Sequence, residues 1–417
     1  MNLGHTWGHG IEYALKIPHG QAVAIGILEE LEYTNHYFNF PPYKDIILVK
    51  EILKNYELFF PELSKSANNK LDEIGEFMKN DKKSGRLVSL ETIGKVKIVE
   101  NDFNKWLLLK APYYQISYQP TKEDHIEFKL PSSKSITNRM LLLACLSKGE
   151  TRLKDCLISE DTLLMYQALL QSGIDIKLEN NDFIIKSNNW NIKGDYYFGN
   201  SGTCTRFLLP VLAIYTENII TIDGNEDMRK RPIGPLVNSL NRFGCNIKYL
   251  NQENYLPLQI EPKSTLSNEL HIDGTLSSQY VSGLLMVTSS LIGMHNIHIK
   301  GKKTSQKFID LTIDLIKRQQ VKIIKLSNMY LVNSGLINNK EVEIEGDASA
   351  QSYPLAFAKL INKTISFTNL NEKSLQGDYL INKNFIEDKE KSDLDSSDTF
   401  LTWACMDSLQ NDGLIKN

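Results

Sequence analysis

Three stretches decide the fold: DTLLMYQALLQSGIDIKLENNDFIIK (161–186), RPIGPLVNSLNRFGCNIKYLNQENYLPLQI (231–260) and FIDLTIDLIKRQQVKIIKLSNMYLV (308–332). Each opens with apolar residues near a 3.6 period, breaks, and then alternates, so each reads as helix, strand, polar turn and second strand. The breaks fall at Gly173, Gly244 and Gln320, which are 71 and 76 residues apart. That spacing sets a repeat of βαβαββ type, too long for a solenoid and suited to a domain of three similar α/β units.

Outward from this core, residues 1–110 read as mostly helical, with a strand signal only in LVSLETIGKVKIVE near residue 100. A polar, turn-rich linker is expected over 111–124, the three-unit domain over 125–343, and a further α/β unit over 344–417. In that last part EGDASAQSYPLAFAKLINKTISFTNL begins a fourth repeat, but a charged run (387–398) replaces the expected strand pair and leads into the helix TFLTWACMDSL. The predicted class is therefore α/β with a helical N-terminal domain.

Composition narrows the function classes. Of 417 residues, 41% are hydrophobic and 23% charged, which excludes a mostly disordered chain and a protein of several membrane spans. The 47 Lys+Arg and 50 Asp+Glu leave a net charge of -3, so no global basic field points to nucleic acid or a membrane surface. Five scattered cysteines without a CxxC argue against a disulfide framework, and the expected home is the reducing cytoplasm.

Any anionic ligand must then be held locally. PSSKSITNRMLLLA (131–144), GNSGTCTRFLLPVLA (199–213) and SSQYVSGLLMV (277–287) each lead from a Ser- or Gly-rich turn straight into an apolar helix. Free N–H groups and the positive end of the macrodipole make such starts anion-ready. A lone Ser there is more often a simple cap, but cations stand at fixed offsets. Ser135 and Arg139 are four apart beside Lys134, Arg206 follows Gly202 by four, and Arg231 follows in DMRKRP. Arg forks suit carboxylate and phosphate, so a small polyanionic substrate is expected. No GxxxxGK[ST] supports a nucleotide P-loop.

The ordered strings PSSKSITNR, GNSGTCTRF, GNEDMRKRPIGPLV, SSQYVSGLLM, EGDASAQSYPLAFA and LQGD resemble the 5-enolpyruvylshikimate-3-phosphate synthase (3-phosphoshikimate 1-carboxyvinyltransferase) family over about 125–406. The resemblance implies two domains of βαβαββ units, the first strand crossing to the other domain, closing on shikimate 3-phosphate and phosphoenolpyruvate. It implies that Lys134 contacts both substrates and that Ser135 and Arg139 hold the shikimate end. Gly202 and Arg231, with Arg206 close by, match phosphoenolpyruvate contacts. Ser277, Ser278, Gln279 and Ser305 match residues that grip the 3-phosphate and ring hydroxyls. Phe308 stands where the family has Tyr, removing one hydroxyl. Asp398 matches the carboxylate that handles the proton of the attacking 5-hydroxyl. The chemistry implied needs neither metal nor other cofactor.

The N-terminal strings NLGHTWGHGIE, IPHGQAVAIG and MKNDKKSGR are similar to the helical C-terminal domain of 3-dehydroquinate synthase. By spacing alone, His5 and His9 at i and i+4, with His19 beyond, suit a metal. The resemblance implies His5 and His19 as zinc ligands, His9 as a catalytic histidine, and Asn2 with Lys82 or Lys83 as substrate contacts. The His9 to His19 spacing is shorter than the family's, and Gln21 replaces a Glu. The intact enzyme of that kind also uses NAD. The two parts in this order resemble the pentafunctional AROM polypeptide of aromatic amino acid biosynthesis, which implies a soluble homodimer.

Against that pattern the dinucleotide-binding domain, its third zinc ligand and the later motifs of the transferase are missing, so weak binding and poor turnover are expected. One alternative is a zinc- and NAD-dependent dehydroquinate synthase fragment, which the lack of a glycine-rich NAD fingerprint in 1–110 opposes. The other is a non-catalytic remnant that binds phosphorylated ligands.

Overall fold

The computed structural model describes residues 3–38, 40–59, 63, 66–67, 70–80, 86–100, 124–187, 190–301, 305–333, 341–386 and 397–410. Its contacts divide the chain into two compact units, Met1–Pro120 and Thr121–Asn417.

The first unit contains helices α1 (His5–Leu15), α2 (His19–Phe38), α3 (Tyr43–Asn55) and α4 (Leu71–Asn80), followed by the antiparallel hairpin β1 (Arg86–Thr92) and β2 (Lys95–Glu100). Trp7, Ile11, Ala22, Ile25, Leu28 and Tyr33 form its core. Helix α1 starts at Gly4 with no side-chain cap of its own. Glu30, buried on α2, supplies one, its Oε2 accepting the Gly4 N–H at 2.7 Å. Burial pushes that carboxyl up to about 8 although the N–H groups of Gly4, Thr6 and Trp7 pull it down.

The second unit repeats one topology three times. The repeat opening at β7 (Asp195–Tyr197) runs through α7 (Gly202–Tyr215), β8 (Ile220–Asp223), α8 (Glu226–Arg229), α9 (Gly234–Phe243), β9 (Asn246–Tyr249) and β10 (Leu258–Glu261). Its sheet has the order β7-β8-β10-β9, a parallel pair followed by an antiparallel hairpin. The next runs through β11 (Glu269–Asp273), α10 (Ser278–Thr288), β12 (Met294–Lys300), α11 (Gln306–Arg318), β13 (Lys322–Lys325) and β14 (Met329–Asn333), with the order β11-β12-β14-β13.

The remaining repeat is closed in a circle. It is built from α5 (Lys134–Leu146), β4 (Gly149–Lys154), α6 (Glu160–Gln171), β5 (Asp175–Glu179) and β6 (Asp182–Ser187). Its parallel edge strand is β15 (Glu341–Glu343), which arrives after the other two repeats and gives the order β15-β4-β6-β5.

The first helix of each repeat is buried over most of its length and is central to its repeat. Ile136–Cys145 of α5, most of α7 and nearly all of α10 are buried. Helices α9 and α11 are one-sided, burying Leu236, Leu240 and Phe243, and Ile309, Ile313 and Ile316. The sheets lie outside them, as the alternating burial along β11 shows. Each fully buried Phe or Leu contributes about 1.5–3 kcal/mol of transfer free energy. Helices α7 and α10 meet backbone to backbone, because a Cβ on Gly283 would lie 2.6 Å from the Arg206 carbonyl oxygen.

Beyond β15 the chain forms α12 (Ser352–Leu360), β16 (Thr364–Phe367), α13 (Gly377–Ile386) and α14 (Ser397–Gln410). Strand β16 pairs in parallel with β3 (His125–Phe128), so the strand preceding α5 belongs to this later layer. Leu355, Ala356, Trp403 and Met406 form a small core there, while Tyr353, Phe357, Leu360 and Leu401 face outward.

Candidate active site

Four helix starts meet at one cleft of about 330 Å³. Lys134 and Ser135 come from α5, Thr203 and Arg206 from α7, Ser277, Ser278 and Gln279 from α10, and Ser305 and Phe308 from α11. Asp398, in the first turn of α14, lines the same cleft. The repeat explains the convergence: the central helices begin at one end of the unit, so their free N–H groups and positive dipole ends collect there. Ser201 caps α7 by accepting the Cys204 N–H at 3.2 Å, and Ser277 caps α10 by accepting the Gln279 N–H at 3.3 Å.

The cations are held by different means. Lys134 Nζ lies 3.1 Å from Asp161 Oδ2 at the start of α6, and Ser201 Oγ also donates to Asp161. Arg139 is 3% exposed and, among the described residues, meets no carboxylate in its bonding shell. Its Nε donates to Thr312 Oγ1 at 2.7 Å, Nη1 to the Ser135 carbonyl at 2.9 Å and Nη2 to the Phe308 carbonyl at 3.4 Å. Phe207 and Phe308 present ring faces to the guanidinium. Burial pulls it down to about 10, which still leaves it charged at neutral pH. A guanidinium has five N–H groups, and these bonds among the described residues use three of Arg139's.

Arg206 Nη1 donates to Gln279 Oε1 at 2.6 Å, and Gln279 Nε2 to Thr203 Oγ1 at 3.2 Å, tying α7 to α10. Burial lowers the Arg206 pKa, and nearby Arg231 lowers it further while Tyr280 opposes. A Cβ on Gly202 would stand 3.3 Å from both Arg206 Nη1 and Arg231 Nη1, so the glycine keeps the space beneath two guanidinium groups open. Arg231 also donates to the Asn200 carbonyl at 3.4 Å.

Of the residues singled out in the sequence, Lys134, Ser135, Arg139, Arg206, Ser277, Ser278, Gln279, Ser305 and Asp398 share this cleft, with Gly202 and Arg231 against Arg206. Asn2, Lys82 and Lys83 lie outside the described residues. Sequence reading missed Asn138, which lines the cleft, is wholly buried, and has no hydrogen-bond partner on either amide atom among the described residues. Its signal was a polar residue inside the run ITNRMLLLA. It also missed the carboxylates beside Asp398. Asp347, Asp378, Lys307 and Ser349 line an adjoining recess shared by Ser135 and Asp398. Burial first, then Asp398 and Asp347, raises the Asp378 pKa, while Ser349 donates to its carboxylate.

In the first unit His5, His9 and His19 stand in a triangle, with ring centroids 5.4–5.7 Å apart. His5 Nδ1 faces the Leu3 carbonyl at 3.0 Å and His19 Nδ1 faces Glu12 Oε2 at 2.7 Å. Both partners are acceptors, so each Nδ1 donates its N–H, and in that tautomer each Nε2 keeps a lone pair for a ligand.

Comparison with known proteins agrees with this division. Residues 119–402 match the family described as EPSP synthase (3-phosphoshikimate 1-carboxyvinyltransferase), and residues 1–84 match 3-dehydroquinate synthase C-terminal. The pentafunctional AROM polypeptide of Pneumocystis carinii is 34% identical over 91% of this chain, and pentafunctional AROM polypeptide 1 of Lodderomyces elongisporus is 33% identical over 91%. The chain spans about a quarter of their length, 26% and 27%. Among solved structures, EPSP synthase from Acinetobacter baumannii is similar in fold, with a TM-score of 0.52 at 20% identity over 60% of this chain and 56% of that one. No described helix is long and apolar enough to cross a membrane. With two thirds of its length covered by a single family match, and that stretch folding into the repeats and cleft above, the chain belongs to the EPSP synthase family.

Proposed function

We propose that the cleft binds shikimate 3-phosphate and phosphoenolpyruvate and transfers the enolpyruvyl group to the 5-hydroxyl. The convergence of four helix starts with Lys134, Arg139 and Arg206 around Asp398 carries this reading. Two phosphates and a carboxylate require fixed positive dipoles and cations, and such preorganised groups stabilise developing charge without rearranging. Ser135 and Arg139 hold the shikimate end, Ser277, Ser278, Gln279 and Ser305 the 3-phosphate and hydroxyls, and Gly202, Arg206 and Arg231 the phosphoenolpyruvate. Lys134 serves both.

In the first step the 5-oxygen bonds to C2, Asp398 accepts the hydroxyl proton, and C3 takes a proton from the Lys134 ammonium, which recovers it in the second step. In the second, C3 loses a proton, the bond from C2 to the phosphate oxygen breaks, and phosphate leaves as the double bond returns. Calorimetric titration with shikimate 3-phosphate, followed by a phosphate-release assay with both substrates, tests this. Binding is expected to weaken by about tenfold or more in Lys134→Ala and Arg139→Ala. Phosphate release is expected to need both substrates and to vanish in Asp398→Asn. Wild-type protein that binds neither substrate sinks the reading.

A second reading concerns the first unit. We infer that His5 and His19 hold zinc through Nε2, with His9 facing substrate. Its support is the pair of Nδ1 contacts to Leu3 and Glu12, the outer-shell arrangement that orients metal-binding imidazoles. Bound zinc supplies a Lewis acid that polarises a substrate oxygen. Metal analysis of the purified chain should show zinc that His5→Ala and His19→Ala each release. Association of two copies through this unit belongs to the same reading and is checked by light scattering.

A further inference from the structure

Outside the cleft lining, a second group of metal-binding side chains stands on the outward face of the sheet β11-β12-β14-β13. Among the described residues, Glu269, His271 and His298 bring one donor atom each within 4.8 Å of the other two. Strands β11 and β12 run parallel with Glu269 opposite Asn296 and His271 opposite His298. Side chains at alternate positions share a face, so Glu269 and His271 project beside Asn296 and His298 while Leu270, Ile272, Ile297 and Ile299 point into the core. The register therefore forces the two imidazoles together, and their rings stack with centroids 4.6 Å apart at 16°.

Glu269 binds both neighbours across the strands. Its Oε2 lies 2.6 Å from His298 Nε2, and its Oε1 accepts from Asn296 Nδ2 at 2.6 Å. The first contact requires the proton of His298 to sit on Nε2, where a metal would replace it. The second fixes the carboxylate from behind, as outer-shell partners do at metal centres. Two imidazoles and a carboxylate are the donors that suit zinc, copper and nickel rather than calcium or magnesium. Bonds of about 2.0–2.2 Å place ligand atoms roughly 3–3.5 Å apart, so donors already within 4.8 Å need approach one another by only about 1–2 Å.

We propose that this face binds one divalent ion of the zinc class through Glu269, His271 and His298, with water completing the shell. The ion would clamp β11 to β12. Strand β11 ends at Asp273, four residues before Ser277 at the start of α10, so the clamp anchors the strand that delivers that helix start to the cleft. Binding to the folded chain alone also stabilises it by mass action.

The test uses the full chain carrying His5→Ala and His19→Ala, so that the first unit contributes no imidazole pair. After chelator treatment, zinc is titrated against a chromophoric competitor. One zinc equivalent is expected, with His271→Ala and His298→Ala each weakening it by about tenfold or more. Zinc should raise the thermal midpoint of the parent and leave that of His271→Ala unmoved. Because a variant could misfold, cobalt is added to the parent as well, where a visible spectrum of nitrogen ligation is expected. Equal zinc affinity in parent and variants, absence of a nitrogen-ligated cobalt spectrum, or magnesium bound as tightly as zinc each overturns the proposal.

Discussion

Glu30 in the first unit and Arg139 in the second are both taken out of water, and burial drives both toward neutrality. Glu30 rises to about 8 and Arg139 falls to about 10. The same force leaves them in opposite states at neutral pH, because the carboxyl starts near that range and the guanidinium starts far above it. Glu30 takes up a proton and caps α1 as a neutral acceptor. Arg139 keeps its charge among carbonyl oxygens, a hydroxyl and ring faces, where no described carboxylate neutralises it. One burial serves packing, and the other, on the proposed function, keeps a cation for an anionic ligand.

The largest test of this contrast is the pH dependence of the first unit. Unfolded Glu30 ionises near 4.5 while the folded group holds its proton to about 8. Between those values the folded state binds more protons, so stability falls as pH rises and levels off above the folded value. The total loss is on the order of 3–5 kcal/mol. Urea midpoints measured across this window should fall more steeply for wild type than for Glu30→Gln, whose amide oxygen still accepts from Gly4. A wild-type profile as flat as the variant's breaks the comparison.

For Arg139 the expected loss is in binding rather than folding. Arg139→Ala removes a charge whose hydrogen bonds to an anion are worth roughly 1.5–3 kcal/mol, or about 10–100-fold in shikimate 3-phosphate affinity. Arg139→Lys keeps the charge without the planar fork and should recover only part of that affinity. Full recovery by Lys would reduce the site to a point charge.

Gly283→Ala probes the frame that carries these charges. The added methyl meets the Arg206 carbonyl, and overpacking of this kind costs about 1–3 kcal/mol. Since α7 and α10 must part to admit it, ligand affinity should fall along with the urea midpoint. An unchanged affinity would show that the cleft tolerates movement between its helix starts.

Much of this was legible in the chain because repeats and helix starts are local signals. The three breaks and the three Ser- or Gly-rich starts were readable from spacing and apolar pattern alone. Circular closure was not, because β15 joins β4 across 187 residues between Lys154 and Glu341 and no local pattern records such a pairing. Glu30 was equally hidden. In ILEELEY it reads as the wet side of an amphipathic helix, and only the arrival of Gly4 makes that side an interior. Asn138 was passed over for the converse reason, as a polar residue in an apolar run that looked like packing.

The smallest effect concerns the breaks. Gly173, Gly244 and Gln320 each follow a helix with positive φ, at 87°, 116° and 67°, and each donates its N–H to the carbonyl three residues back. The first two are glycines suited to that left-handed region, whereas Gln320 holds the same shape against the clash of its Cβ. Its side chain is exposed, so replacing it forfeits little packing. Gln320→Gly should therefore raise stability by about 0.5–1 kcal/mol once the greater freedom of the unfolded glycine is subtracted. Gly173→Ala should act in the opposite direction and more strongly, since its Cβ would also come within 2.8 Å of Asn191 Cβ. Thermal midpoints of the two variants that move the same way would show that the repeats do not share one geometry at their turns.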